Sequence, residues 1–355
     1  MRSGKLLTFN NIMTGMLIFI PVSIALELIH ADPIIVFIGA ALAIVPLAGL
    51  MGRATEDLSK QLGAGIGGLL NATFGNATEL IISIFALQAG LFEVVKASIT
   101  GAIIGNVLLV TGCAMFFGGL KREKQTFNQQ AQGVSSTMLA LAAVGLILPA
   151  LAAHVLNVGS IEMLSLSISG VLLVTYLCSL VFSLKTHKHL YACEEDEGEC
   201  KPHWPKKTAV LILLLVTAVV ALESEFLVGS IEHVSQSLGL TELFIGVIIV
   251  AIIGNAAEHS TAIMMAMKNK MDLSLGIATG SSTQIALLIA PVLIFTGYLI
   301  GKQMDLVFNE FEVVSIVAAV VISNMIGADG ESNWLEGLQL IALYLMMAVV
   351  FFFIK

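Results

Sequence analysis

Apolar runs long enough to cross a bilayer recur along almost the whole chain, which leaves it little choice of fold. Spanning a hydrocarbon core of about 30 Å takes roughly 18 or more consecutive, mostly apolar residues. About eleven such runs are present, near residues 10–30, 33–56, 66–90, 92–120, 128–153, 160–184, 206–227, 241–267, 271–300, 309–327 and 335–354. They are continuous and contain glycine, whereas barrel strands alternate over about 10 residues. The expected fold class is therefore an all-α integral membrane protein. Only 12% of the residues are charged, against about 25% in soluble domains.

Charge placement gives an orientation. If the N-terminus is cytoplasmic, fourteen of the seventeen Lys and Arg fall in cytoplasmic loops or tails, and Lys96, Lys302 and Lys355 fall outside. Positively charged loops stay inside, so the expectation is N-terminus in and C-terminus out, in a cell membrane. The first span follows Arg2 and Lys5, but no small-residue cleavage pattern follows it, so it is read as retained. The net charge of −8 comes largely from the acidic run at 194–199, and nucleic acid binding has no support.

The chain also resembles itself. Residues 75–79 read GNATE and 254–258 read GNAAE, 179 positions apart, and Thr100-Gly101 recurs as Thr279-Gly280 at the same offset. Upstream, EDLSKQLG at 56–63 matches EHVSQSLG at 232–239, offset by 176. Three blocks in one order predict two repeats. Each holds five spans, and an odd number of crossings makes the second repeat enter the membrane from the opposite side. The expected organisation is an extra helix over 1–31, a first five-helix repeat over 32–185, a cytoplasmic acidic linker over 186–205 and an inverted repeat over 206–355.

Each motif carries a glutamate inside a span, Glu79 and Glu258. A carboxylate at the centre of a membrane helix costs roughly 2.5–3.5 kcal/mol on insertion scales, so a matched pair points to function. Asn76 and Asn255 precede them by three residues and share their helix face. Gly75 and Gly254 either let the helix bend or allow close packing, and the sequence favours neither. An all-oxygen ligand set suits a hard cation such as Ca2+, which takes six to eight oxygens. No zinc-enzyme pattern is present, and His259, one residue from Glu258, is read as a hydrogen-bonding neighbour rather than a ligand. Carboxyls removed from water hold protons when the cation is absent, so arriving Ca2+ must expel them.

Among the polar residues of the fourth and ninth spans, which include Ser98, Thr100, Asn106, Thr279, Ser282 and Thr283, the choice falls on Ser281 and Gln284, three apart on one face. Each other hydroxyl is expected to bond its own helix.

These motifs resemble the Ca2+/H+ antiporters, or cation exchangers, of the cation/Ca2+ exchanger superfamily. The most specific stretches are GNATELIISIFALQAG at 75–90 and GNAAEHSTAIMMAMKNKMDLSLGIATGSSTQIALL at 254–288. The resemblance implies eleven helices, alternating access and Ca2+ exchanged for protons at Glu79 and Glu258, with Asn76, Asn255, Ser281 and Gln284 around them. Ala102 and Gly105 depart from it, because the family commonly has a hydroxyl at one or both positions. Neither glutamate motif contains the proline of the Na+/Ca2+ exchangers, which favours protons over Na+.

The expectation is thus a secondary transporter, not an enzyme, without a cofactor, with Ca2+, H+ and the bilayer as its partners and export of cytosolic Ca2+ as its direction. Self-association stays open. The alternatives are exchange of Na+ or another divalent cation and, in a different class, a cation channel, whose flux would need no proton gradient. A membrane hydrolase lacks a nucleophile and base. The 185–207 loop, with His187, His189, Cys193, Cys200 and His203, is read as a solvated linker rather than a metal sensor, and Cys113 and Cys178 imply no disulfide. Glu27, Glu162, Glu310 and Glu312 are expected near span ends, in reach of water.

Overall fold

A computed structural model describes residues 9–187 and 202–354. His189, Cys193, Cys200 and the acidic run lie outside them. Among the described residues ten helices are long and apolar enough to cross a membrane, and an eleventh apolar helix is shorter. They are α1 (Asn11–Leu28), α2 (Pro33–Phe74), α3 (Ala77–Ala89), α4 (Phe92–Gly119), α5 (Gln129–Ala152), α6 (Val158–Thr186), α7 (Lys206–Leu238), α8 (Glu242–Met267), α9 (Met271–Ile300), α10 (Glu310–Asp329) and α11 (Trp334–Phe353).

The second and third expected spans differ from their prediction. No loop separates them: α2 runs through both and turns back at Gly63, whose φ of 79° places it in the left-handed region. That region costs a residue with a Cβ roughly 1–2 kcal/mol. The third span is not continuous either. Its helix stops at Gly75, and Asn76 takes non-helical angles (φ −108°, ψ 32°) before α3 begins. In the second half α8 runs unbroken through Gly254 and Asn255.

Backbone specials recur at related positions. Gly239 at the end of α7 has φ 66°, at the position of the EHVSQSLG block that matches Gly63. Gly90 (φ 82°) ends α3, and Asn269 (φ 65°), 179 positions on, follows α8. A π-helical stretch, Gly105–Val110, interrupts α4, and another, Ile285–Ile289, interrupts α9.

Helix starts follow side-chain caps that satisfy the otherwise unpaired first N–H groups. Asn128, Asn157, Asn309 and Asn333 accept from backbone N–H groups at the starts of α5, α6, α10 and α11, and the last two form capping boxes with Glu312 and Glu336. On the linker side a two-residue antiparallel ribbon, β1 (Gln125–Thr126) with β2 (Glu331–Ser332), ties the loop after α4 to the loop before α11. Beside it Lys124 lies 2.5 Å from Glu331, which holds its ammonium above the usual lysine range. Asp57 of α2, also on that side, accepts from the backbone N–H groups of His203 (3.1 Å) and Trp204 (2.9 Å) just ahead of α7.

The centre of the bundle is the crossing of α4 on α8. A Cβ on Gly101 would collide with the Val247 carbonyl, and one on Gly246 would sit 2.5 Å from the Ala97 Cβ. Missing side chains let the two backbones touch. Gly280, the sequence counterpart of Gly101, has open space around it. Gly101→Ala is therefore expected to destabilise the protein by about 1–3 kcal/mol, the usual cost of overpacking, while Gly280→Ala is tolerated. Thermal unfolding of both variants in detergent measures the difference.

Candidate cation-exchange site

The break at Asn76 decides what Glu79 does. It puts Glu79 in the first turn of α3, where the N–H groups of a helix start lack partners within the helix. The preceding turn of α2 ends there too, and the last carbonyls of a helix lack partners within it. Oxygen acceptors and a carboxylate thus meet inside the membrane region.

Glu79 crosses to α8 and rests on Gly254. A Cβ on Gly254 would stand 3.1 Å from Glu79 Cγ and 3.4 Å from its Oε1. The glycine makes room for the carboxylate, and α8 stays helical through it. Gly75 plays the other part, marking the chain break, and a Cβ there would lie 3.5 Å from Gln284 Oε1. The two alternatives left open for the glycines are divided between them.

Glu258, one turn beyond Gly254, is near enough for its charge to act on Glu79. Its Oε2 is enclosed and has no hydrogen-bond partner among the described residues. The Ser281 hydroxyl faces the same carboxylate.

Amides and hydroxyls surround the pair. Asn76 Nδ2 donates to Gln284 Oε1 (2.6 Å), and Ser281 Oγ donates to Asn76 Oδ1 (2.7 Å). Asn106 Nδ2 donates to Ser281 Oγ (3.0 Å) and to Asn255 Oδ1 (3.3 Å), while Asn106 Oδ1 lies 3.0 Å from His259 Nε2. All eight residues expected at the site, Glu79, Glu258, Asn76, Asn255, Ser281, Gln284, Gly75 and Gly254, converge. His259 reaches the cluster through Asn106, at one remove.

Asn106 is the residue that sequence reasoning passed over. It links α4 to both α8 and α9, and it sits in the π-helical stretch of α4, a type of irregularity common at functional sites. Its counterpart 179 positions on is Ile285, so a search for matched pairs could not reveal it. The signal present was a lone amide in an otherwise apolar run, which needs partners in a dry bundle. As expected, Thr279, Ser282 and Thr283 bond carbonyls of their own helix. Thr100 departs from that pattern and donates to Glu312 Oε1 (3.1 Å). Glu312, expected in reach of water, is fully buried, because its other oxygen closes the capping box of α10.

The surroundings differ on the two sides. Away from the linker, Glu79 opens on a cavity of about 10 Å³, lined by Ser83, Ser98, Ala102, Val250 and Ile285 among others, room for about one water. Every lining residue but Glu79 is buried. Toward the linker, residues 256–261 of α8 are all partly exposed.

Comparison with known proteins agrees with this architecture. The family described as sodium/calcium exchanger protein matches residues 33–185 and 208–353. The chain belongs to this family. Its relatives include the Ca2+/H+ antiporter of Aphanothece halophytica, 47% identical over 98% of both chains. The Ca2+/H+ antiporter ChaA of Bacillus subtilis is 45% identical over 94% of this chain and 96% of its own. The solved structure of native YfkE superposes with a TM-score of 0.86 at 42% identity, covering 96% of this chain and all of that one. The H+/Ca2+ exchanger CAX shares the fold, with a TM-score of 0.72 at 13% identity, over 96% and 91% of the two chains.

Replacing Asn106 by Leu strips Ser281, Asn255 and His259 of a partner each, and unpaired buried polar groups cost about 1–3 kcal/mol. The variant is expected to melt several degrees lower. Ser260→Ala, which removes only a bond to the Ala256 carbonyl of its own helix, is expected to leave the melt unchanged.

Proposed function

We propose that the protein is a secondary active transporter that exchanges Ca2+ for H+ at the Glu79–Glu258 pair. The observation that carries this reading is the pair itself. Two carboxylates lie close together in the membrane region, and among the described residues one oxygen of Glu258 is enclosed without a partner and no basic side chain is among the groups acting on the pair. Such a pair needs either a cation or protons.

The donor set suits Ca2+ as the transported ion. Two carboxylates give up to four oxygens, and the Asn76, Asn255 and Gln284 amides, the Ser281 hydroxyl and nearby carbonyls offer the rest of a six- to eight-oxygen shell. Ca2+ arriving at a protonated pair displaces the protons, and protons arriving at a loaded pair release Ca2+. Competition for one site makes the exchange obligatory. Crossing with two bare carboxylates is the costly state, so the protein changes sides when loaded. The naming of full-length relatives as Ca2+/H+ antiporters supports protons as the counter-ion.

The uneven surroundings support alternating access. In this conformation the partly exposed run at 256–261 faces the linker side, and the buried lining of the small cavity closes the other. With the linker cytoplasmic, as the Lys and Arg distribution indicates, Ca2+ is taken up from the cytosol and exported. We read the fold as two inverted five-helix repeats, 32–185 and 206–355, after the extra helix 1–31. The paired left-handed residues, Gly63 with Gly239 and Gly90 with Asn269, support this reading.

Purified protein in liposomes is expected to accumulate Ca2+ when a pH gradient is imposed, and Glu79→Gln or Glu258→Gln to abolish uptake. Full activity in either variant would overturn the two-carboxylate mechanism. Uptake driven by a Na+ gradient and indifferent to pH would assign Na+ as the counter-ion, and flux without any gradient would make the protein a channel.

A further inference from the structure

Another carboxyl lies buried in the membrane region, away from the exchange site and from Glu312. Glu223 stands midway along α7 with none of its surface exposed. Its Oε1 accepts from Ser23 Oγ of α1 at 2.6 Å. Its Oε2 is enclosed and has no partner among the described residues. Ser23 is itself fully buried, held against α2 at Gly39, where an added Cβ would meet the Ser23 Cα and Cβ at 3.5 Å. The glycine lets the N-terminal helix approach closely enough for its hydroxyl to reach α7.

Among the described residues an ionised carboxylate there has one hydrogen bond and no countercharge. Of the charged groups on the elements packed around it, Glu27 of α1 lies one turn from Ser23, and the charges within α2 begin at Arg53, about four turns beyond Gly39. Glu79 of α3 belongs to the exchange site, and Glu225 of α7 is exposed. Ser23 is the group that interacts with Glu223. One carboxylate and one hydroxyl are too few oxygens for Ca2+. A proton is the ligand that fits, since it turns an uncompensated buried charge into a neutral acid.

We propose that Glu223 is a proton-binding carboxyl separate from the exchange pair, and that its proton keeps the N-terminal helix α1 docked on α7. The proton comes from water and adds to Oε1, which then donates to Ser23 Oγ, while the Ser23 hydroxyl donates to the Ile20 carbonyl of its own helix (2.9 Å). When the proton leaves, the charge draws water into the contact and α1 loosens. The extra helix thereby reports pH to α7, the first helix of the second repeat.

Infrared spectroscopy of the protein in lipid nanodiscs tests the site apart from transport. In a Glu79→Gln/Glu258→Gln background, the carbonyl band of a protonated carboxyl is expected at neutral pH. It should lose intensity on adding Glu223→Gln and shift on adding Ser23→Ala. Spectra unchanged by Glu223→Gln would overturn the proposal. Hydrogen exchange tests the docking in otherwise wild-type protein. Relative to the other helices, residues 19–28 should exchange about tenfold faster above the pH at which the Glu223 band is lost, the scale of one hydrogen bond. Glu223→Gln, a neutral mimic, should remove that dependence. The same pH profile in both proteins would overturn the docking role.

Discussion

Glu79 resting on Gly254 sets the terms for everything around it. A carboxylate can enter the middle of a membrane bundle only where the facing helix yields space, and here the space is one missing side chain. That contact fixes the distance between α3 and α8 and brings Glu258, one turn on, beside its counterpart. The same device recurs where Gly101 and Gly246 let α4 and α8 meet backbone to backbone. Small residues thus do the assembling, and the polar residues occupy the positions that close packing creates.

The polar cluster around the carboxylates is uneven, and the unevenness has a cause. The first half contributes a broken helix, which supplies a helix start beneath Glu79 and the carbonyl end of α2. The second half contributes a helix continuous through Gly254 and Asn255 and the polar side chains of Ser281 and Gln284 on α9. Asn106 joins the two, reaching from α4 to α8 and α9. Its position on a π-helical stretch matters, because the extra residue in that turn changes which side chains α4 presents to the centre.

Much of this was legible in the sequence, and the limits are physical. The apolar runs, the GNATE and GNAAE blocks and the polar stretch of the ninth span were enough to expect eleven helices and to choose all eight residues that converge, because a charge in a bilayer needs a reason and a repeated one needs a repeated reason. Helix continuity was not legible. Gly75 and Gly254 sit in near-identical local sequences, yet one ends a helix and the other lies within one, since the surrounding packing decides. Glu312 was misjudged for a related reason. Its place near a span end suggested water, but a capping residue folds back on its own helix start, and Thr100 then covers it. Asn106 escaped a search for symmetry because it has no symmetric partner.

The Asp57 contact with the backbone of His203 and Trp204 has a consequence for how deep α7 sits. A helix of 33 residues is far longer than the roughly 20 needed to cross the hydrocarbon core, so matching apolar length to membrane thickness leaves its height free to slide by several residues. A carboxylate in the other half of the chain removes that freedom by gripping the strand of backbone that leads into α7. The vertical registry of the second half is therefore inherited from α2, and the level at which Glu223 meets Ser23 is inherited with it.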